Sequence, residues 1–331
     1  MKIRRFLRLA AATAVLFCCS SWGFLVHRTV TQLAIDQLPR PLFDFFFQNR
    51  NWLVRQSVAP DIRRRTDPKE GPRHFIDLEG YGDSAAWKMP LHWDSAVNRY
   101  TLDSLTKYGF VPYEVQQVKD LLTCAFRSGN KDSVLCYAAD LDHYIADANV
   151  PLHTTINYDG QLSHQRGIHA LWESLVPEMQ LDRYSLTDRP VANYLNDPAL
   201  SIWEAVRNAH KLVPQLLEEE KALSIQFPDS VKFEPKTVNG RQIQAYAPGF
   251  IHAYAAGQGA IVNQQLLRSA DLIADFWLTC WVDAGKPSLA GWIAPLNMEE
   301  KRNEELELKA YQNGWLIKEA RLLARAYQDN P

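Results

Sequence analysis

Between His143 and Glu173 the chain spaces imidazoles and carboxylates at intervals that suit metal ligation. His143 and Asp147 are four residues apart, as are His169 and Glu173, with His153 between the pairs. On a helix that spacing stacks both side chains on one face, so a nitrogen and an oxygen converge on one ion. No cysteine takes part, and imidazole with carboxylate suits a catalytic zinc better than a structural one. Upstream lie further donors: Trp22 and His27, then Asp61 after Pro60, then His74 in Arg73-His74-Phe75-Ile76-Asp77. Taken singly each is weak, because a solitary histidine is more often a hydrogen-bonded structural residue.

These donors need rigid elements to hold them, and the pattern supplies helices. Val26, Val30, Leu33, Ala34 and Leu38 follow the 3.6-residue period until Pro39 and Pro41 stop it. Val115, Val118, Leu121, Leu122 and Ala125 mark another helix, ended by Gly129-Asn130. Asp132-Ser133 then offers a cap for a helix carrying Val134, Tyr137, Leu141 and Ile145, which Pro151 breaks. Ile202 to Leu217 and Ile251 to Val282 read as long amphipathic runs, and strand signals are rare. The expected class is all-α, a single multi-helix domain over 22–287 with functional loops. After Gly285-Lys286-Pro287 the composition changes, and 288–331 reads as a helical extension. Its stretch 298–326 carries Leu306, Leu308, Leu316, Ile317, Leu322 and Leu323, for packing on the main body or for self-association.

Composition narrows the function classes. The chain has 331 residues with 47% apolar content and a net charge of −2, ordinary for a globular protein. Residues 1–21 hold Lys2, Arg4, Arg5 and Arg8 with no acid, so the remainder carries −6. That balance argues against a broad electrostatic nucleic-acid binder. The basic start, the apolar run Leu9 to Phe17 and Ser20-Ser21 read as a secretory signal over 1–21. No later segment reaches the roughly 20 apolar residues a membrane helix needs. The expected location is therefore periplasmic or secreted after cleavage before Trp22, with a lipid anchor through Cys19 as the alternative. Cleavage leaves Cys124, Cys136 and Cys280; the first two flank a helical turn and either bridge or remain buried free thiols.

The ordered set of donors resembles the superfamily of bacterial zinc-dependent phospholipase C and the single-strand-specific zinc nucleases of fungi and plants, over roughly Trp22 to Gly285. The resemblance implies an all-α protein with three zinc ions in a cleft. Carried over position by position, Asp61, His74, His143 and Asp147 would hold one zinc. Trp22 and His27 would hold a second, with Asp147 bridging. His153, His169 and Glu173 would hold the third. Trp22 would bind through its amino and carbonyl groups, which requires cleavage at that bond; a lipidated Cys19 would keep Trp22 internal. Asp61 would serve as ligand and as proton acceptor. The implied reaction is hydrolysis of a phosphate ester by zinc-activated hydroxide.

The nuclease branch usually carries Gly-Gly-Asn, Asn-Leu-His and Trp-Asp around the third zinc. Here the stretch reads Asn157-Tyr158-Asp159-Gly160-Gln161, then Gly167-Ile168-His169 and Trp172-Glu173. This leans toward the phospholipase C branch, with a phospholipid favoured over single-stranded nucleic acid. A nuclease or nucleotidase on the same metals and a non-catalytic zinc-binding surface protein are the alternatives. Arg63 and Arg64, with Arg65, follow Asp61 closely and offer an anionic substrate a charged approach, or form a solvated run. His164 is placed to line the cleft. His92, His210 and His252 lack a ligand-spaced partner. Phe43, Phe45, Phe46, Phe47 and Trp52 suit an aromatic core or a transient membrane-surface contact.

Overall fold

The computed structural model describes residues 23–187, 191–238 and 241–327, and these are mainly helical. Helix α1 (Phe24–Asp36) has no side-chain cap, yet Leu25 through Asp36 are all buried. Tertiary packing rather than local capping therefore holds it. The short helices α2 (Leu42–Gln48), α3 (Arg50–Gln56) and α4 (Ala59–Arg63) follow at once. Phe43, Phe45, Phe46 and Phe47 are buried in the core, and Phe46 stacks on Trp277 with ring centroids 4.7 Å apart. Trp52 is half-buried against the same core. Rings packed this way are not available to a membrane, which corrects the lipid-contact alternative for this cluster. Truncating Phe46 to alanine would cost about 3–5 kcal/mol.

Helices α5 (Val111–Ser128) and α6 (Lys131–Ala148) form a hairpin. Gly129 turns the chain at φ 69°, in the left-handed region where a side chain is strained. The cap of α6 is Asn130, whose side chain accepts the Ser133 amide at 3.0 Å, two positions ahead of the expected Asp132. From Leu141 to Ala148 every residue of α6 is buried, so its second half carries His143 and Asp147 through the interior. The run Ile202–Leu217 divides into α7 (Pro198–His210) and α8 (Val213–Ser224), because Pro214 cannot continue the first helix. A hairpin of β1 (Phe233–Val238) and β2 (Arg241–Tyr246) follows, pairing Phe233 with Tyr246, in a chain whose strand signals are rare. Its turn, Asn239-Gly240, lies outside the described residues. The 36-residue α9 (Pro248–Asp283) then packs on α1, α5 and α6.

The extension differs from its leucine pattern. It forms α10 (Met298–Gln312), closed by an Asn297–Glu300 capping box, and a short α11 (Leu323–Ala326), with a break around Gly314 at φ 68°. The buried side of α10 is Glu304, Glu307, Ala310 and Tyr311, whereas Leu306 and Leu308 are only half-buried. Cys124 and Cys136 are both free, and both are exposed rather than buried; Cys280 is buried. Residues 1–22, including Cys19 and Trp22, lie outside the described residues.

Candidate metal centre

Five donors from four segments meet in one buried group. His27 comes from α1, Asp61 from α4, His74 from the end of a 3-10 turn, and His143 and Asp147 from α6. Asp147 divides its two oxygens. Oδ2 lies 2.9 Å from His74 Nδ1 and 3.3 Å from His143 Nε2, while Oδ1 faces His27 Nε2 at 3.5 Å. Asp61 Oδ1 sits 3.8 Å from both His74 Nδ1 and His143 Nε2. Two overlapping triads thus form, His27 with Asp61 and His143, and His74 with His143 and Asp147, each with its donor atoms close enough to share one ion. Asp147 is the carboxylate between them, the place a bridging ligand occupies.

A second group is more local. Glu173 Oε1 lies 3.0 Å from His153 Nε2 and Oε2 lies 3.1 Å from His169 Nε2. His169 and Glu173 do not share a regular α-turn: residues Leu171–Leu175 form a π turn. The widened turn still delivers both side chains to one side, and such turns are frequent at functional sites.

Backbone carbonyls set the orientation of three imidazoles. His143 Nδ1 meets the Ser57 carbonyl at 2.8 Å, His153 Nδ1 the His74 carbonyl at 2.7 Å, and His169 Nδ1 the Tyr158 carbonyl at 3.1 Å. Donating Nδ1–H outward leaves each Nε2 lone pair pointing into the cleft, the arrangement of a metal-binding histidine. His74 is turned the other way. It presents Nδ1 to the cleft and has Glu70 Oε1 3.6 Å behind Nε2. Glu70 in turn accepts from Tyr144 and, at 3.3 Å, from Arg63. Although burial opposes it, contact with His74, Tyr144 and Arg63 brings the Glu70 carboxyl down to about 2.

The fit to metal ions rests on groups that the protein leaves unsatisfied. Both nitrogens of His27, Asp147 Oδ1 and both oxygens of Glu173 are buried without a hydrogen bond. Such groups cost about 1–3 kcal/mol each unless something occupies the space between them. Protons are the substitute in the metal-free chain. His143 and His153 are raised to about 9: burial alone would lower both, and Asp147, with Asp61 or Glu173, outweighs it. Glu173 is lowered to about 2, burial being overcome by His169 and His153. His27 goes the other way, lowered by burial and by His143, against which it stacks at 4.1 Å. A buried set of five imidazoles, three carboxylates and no thiolate fits zinc in a reactive rather than a structural role.

The remaining expected site residues divide. Arg64 lines a cavity of about 170 Å³ together with His74, His153, His169, Phe75, Asp77 and Tyr158. Arg63 is not offered to a substrate; its guanidinium is taken by Asp140 at 2.9 Å and Glu70 at 3.3 Å. His164 is exposed at φ 61° and does not line that cavity. His210 bonds Thr154 Oγ1 at 3.1 Å, away from the donors. Glu70, Asp77 and Tyr158 were missed. Only Glu70 left a trace in the sequence, four residues before His74. Asp77 is pushed up to about 7 by burial and by Glu79. Trp22 lies outside the described residues, but the next residue, Gly23, abuts Ser174, the neighbour of Glu173: a Cβ there would come within 2.8 Å of Ser174 Oγ.

In fold the chain is similar to clostridial alpha-toxins. It aligns with the alpha toxin from Clostridium absonum at 13% identity and a TM-score of 0.43, covering 77% of this chain and 63% of the toxin. With the Clostridium perfringens alpha-toxin isolated from avian strain SWCP the identity is 14% and the TM-score 0.43, covering 79% and 64%. The chain thus spans less than two thirds of the length of these toxins. No family model and no curated protein matches it.

Proposed function

We propose that this chain is a zinc-dependent hydrolase of phosphate esters, of the phospholipase C type, holding three ions. The observation that carries the reading is the convergence of eight buried donors on one cleft, with Asp147 dividing its oxygens between two neighbouring triads. Zinc held there would supply Lewis acidity, polarising phosphoryl oxygens and making water acidic enough to act as hydroxide near pH 7. His74, His143, Asp61 and Asp147 would hold the first ion, His27 and Asp147 with Trp22 the second, and His153, His169 and Glu173 the third.

The chain's own residues do the rest. Arg64 at the cavity wall pairs with a phosphate oxygen of the substrate and orients it. Asp61, the carboxylate set farthest from its imidazole neighbours, takes the proton of the attacking water. Burial of the cluster keeps bulk water out and strengthens these charges. A phospholipid is the favoured substrate because the loop that carries the cavity-lining Tyr158 also exposes Ile156, Tyr158 and Leu162, an apolar rim suited to a lipid surface rather than to a polyanion. Among the described residues no helix is long and apolar enough to cross a membrane, so the contact is peripheral. Residues 1–21 direct export in this reading.

The test is turnover of phosphatidylcholine micelles and of single-stranded DNA, side by side, by the zinc-loaded protein and its His143→Ala variant. Release of phosphocholine that disappears in the variant is expected. Cleavage of DNA alone would move the substrate to nucleic acid, and zinc uptake without turnover of either would leave a non-catalytic zinc protein.

A further inference from the structure

Helix α1 presents two adjacent stripes to two different parts of the molecule. His27 and Thr31 face inward: His27 joins the larger donor group, and the Thr31 hydroxyl donates to Asp142, next to His143 on α6. One residue further round, Arg28, Gln32 and Asp36 recur at four-residue spacing and are all buried. What buries them is the C-terminal extension.

Gln32 is the centre of this seam. Its Nε2 donates to Glu307 Oε1 at 2.9 Å and to the Arg321 carbonyl at 2.9 Å, and its Oε1 accepts the Leu323 amide at 2.8 Å. One amide thus ties α10, the following loop and α11 to α1. Arg28 makes the second tie, donating from Nη1 to the Tyr327 carbonyl at 2.8 Å. Its guanidinium also lies 5.5 Å from the Tyr327 ring and 5.6 Å from the Phe24 ring. At the far end Glu307 reaches Arg50 Nε of α3 at 3.4 Å. The first turn of α1 has no side-chain cap of its own, so these ties hold it.

We infer that the extension is a brace for the metal centre: by gripping Arg28 and Gln32 it positions His27, and so sets the affinity of the ion on the His27 side. Gln32 and Arg28 are positioning residues, acting through the helix on which His27 sits. The inference rests on the metal-centre reading. None of the seam's hydrogen bonds reaches His153, His169 or Glu173, so their ion is held regardless.

The test is zinc affinity, read by competition with a chromophoric chelator on the full-length, zinc-loaded protein and its Gln32→Ala, Tyr327→Ala, His27→Ala and Gln32→Ala/His27→Ala variants. Gln32→Ala is expected to release one ion about tenfold more readily while the rest hold. Tyr327→Ala, a milder change at the surface, shifts the same ion less. In the His27→Ala background the Gln32 change has no further effect on the ions that remain. Equal weakening of every ion would indicate mere loss of stability and overturn the brace, as would an unchanged profile in both single variants. If the unmutated chain takes up no zinc, the metal reading fails and the brace with it; zinc uptake with no effect of Gln32→Ala sinks the brace alone.

Discussion

The two donor groups of the cleft draw on very different lengths of chain. The larger collects His27, Asp61, His74, His143 and Asp147 from four segments, while the smaller takes His153, His169 and Glu173 from one short stretch. Their supports differ accordingly. The smaller group is steered by the Tyr158 carbonyl of its own stretch and by one carbonyl from outside it, that of His74. The larger depends on the Ser57 carbonyl, 86 residues from His143, on Glu70, four residues before His74, and, through α1, on the C-terminal extension. A site assembled from distant segments inherits the stability of every contact between them, whereas one drawn from a single stretch depends on fewer such contacts.

Breaking each group in turn should expose this asymmetry. His143→Ala removes a donor common to both triads of the larger group, so turnover falls on the order of 10³-fold, the upper end for loss of a single electrostatic group. His169→Ala should also cost activity, but metal analysis should find one ion missing rather than two. Equal losses of zinc in the two variants would mean the groups are not separate.

A second substitution probes only the support. Glu70→Gln leaves every donor in place and weakens the charge behind His74, and such outer partners are typically worth 10–100-fold in metal affinity. The loss should appear in ions of the larger group alone, read by chelator competition.

Protons offer a finer comparison. In the metal-free chain His153 is raised to about 9 from an ordinary value of 6.5, so its stabilising contribution is complete below pH 6.5 and is lost as pH rises through 9. Glu173, lowered to about 2 from 4.5, contributes above pH 4.5 and loses that contribution as pH falls through 2. Zinc replaces the proton on the imidazole. The rise in melting temperature on adding zinc should therefore be larger at pH 9 than at pH 6, measured by scanning calorimetry. A shift that shrinks toward pH 9 would show that the protons are not at these histidines.

The smallest effect is expected at the seam under the extension. Asp36 is buried with neither oxygen hydrogen-bonded, and its carboxyl is held well above the usual range by burial and by Glu307. An acid raised in this way binds its proton more tightly when folded, so stability is lost as pH climbs above the unfolded value of about 3.9. Asp36→Asn removes that loss. The variant should be more stable by about 1 kcal/mol at neutral pH, with the gain widening from pH 4 upward in urea unfolding.

Much of the cleft was legible in the sequence because its chemistry is carried by spacing. His143 with Asp147 lie on one face of any helix through them, and their α-helix is capped two residues before the expected Asp132 and ends ahead of Pro151 as expected. His169 with Glu173 survived even the change from an α to a π turn. Side chains a few residues apart are held together by the local backbone, so their proximity needs no knowledge of the rest of the chain.

What local spacing does not encode was decided by packing over long separations. Spacing left Arg63 open to a substrate or to a salt-bridged run, and Asp140, 77 residues away, takes its guanidinium. The leucines of the extension suggested an apolar face, but the helix buries Glu304 and Glu307 because Arg40, Arg50 and Gln32 await them. Arg28 meets the Tyr327 carbonyl across 299 residues. The sequence by itself determined the helical class and the pairs that share a face, since those follow from the period of the backbone. Only the tertiary structure decided which oxygen of Asp147 faces which triad, what stands behind His74 and what braces His27, because each depends on where separately folded segments come to rest against one another.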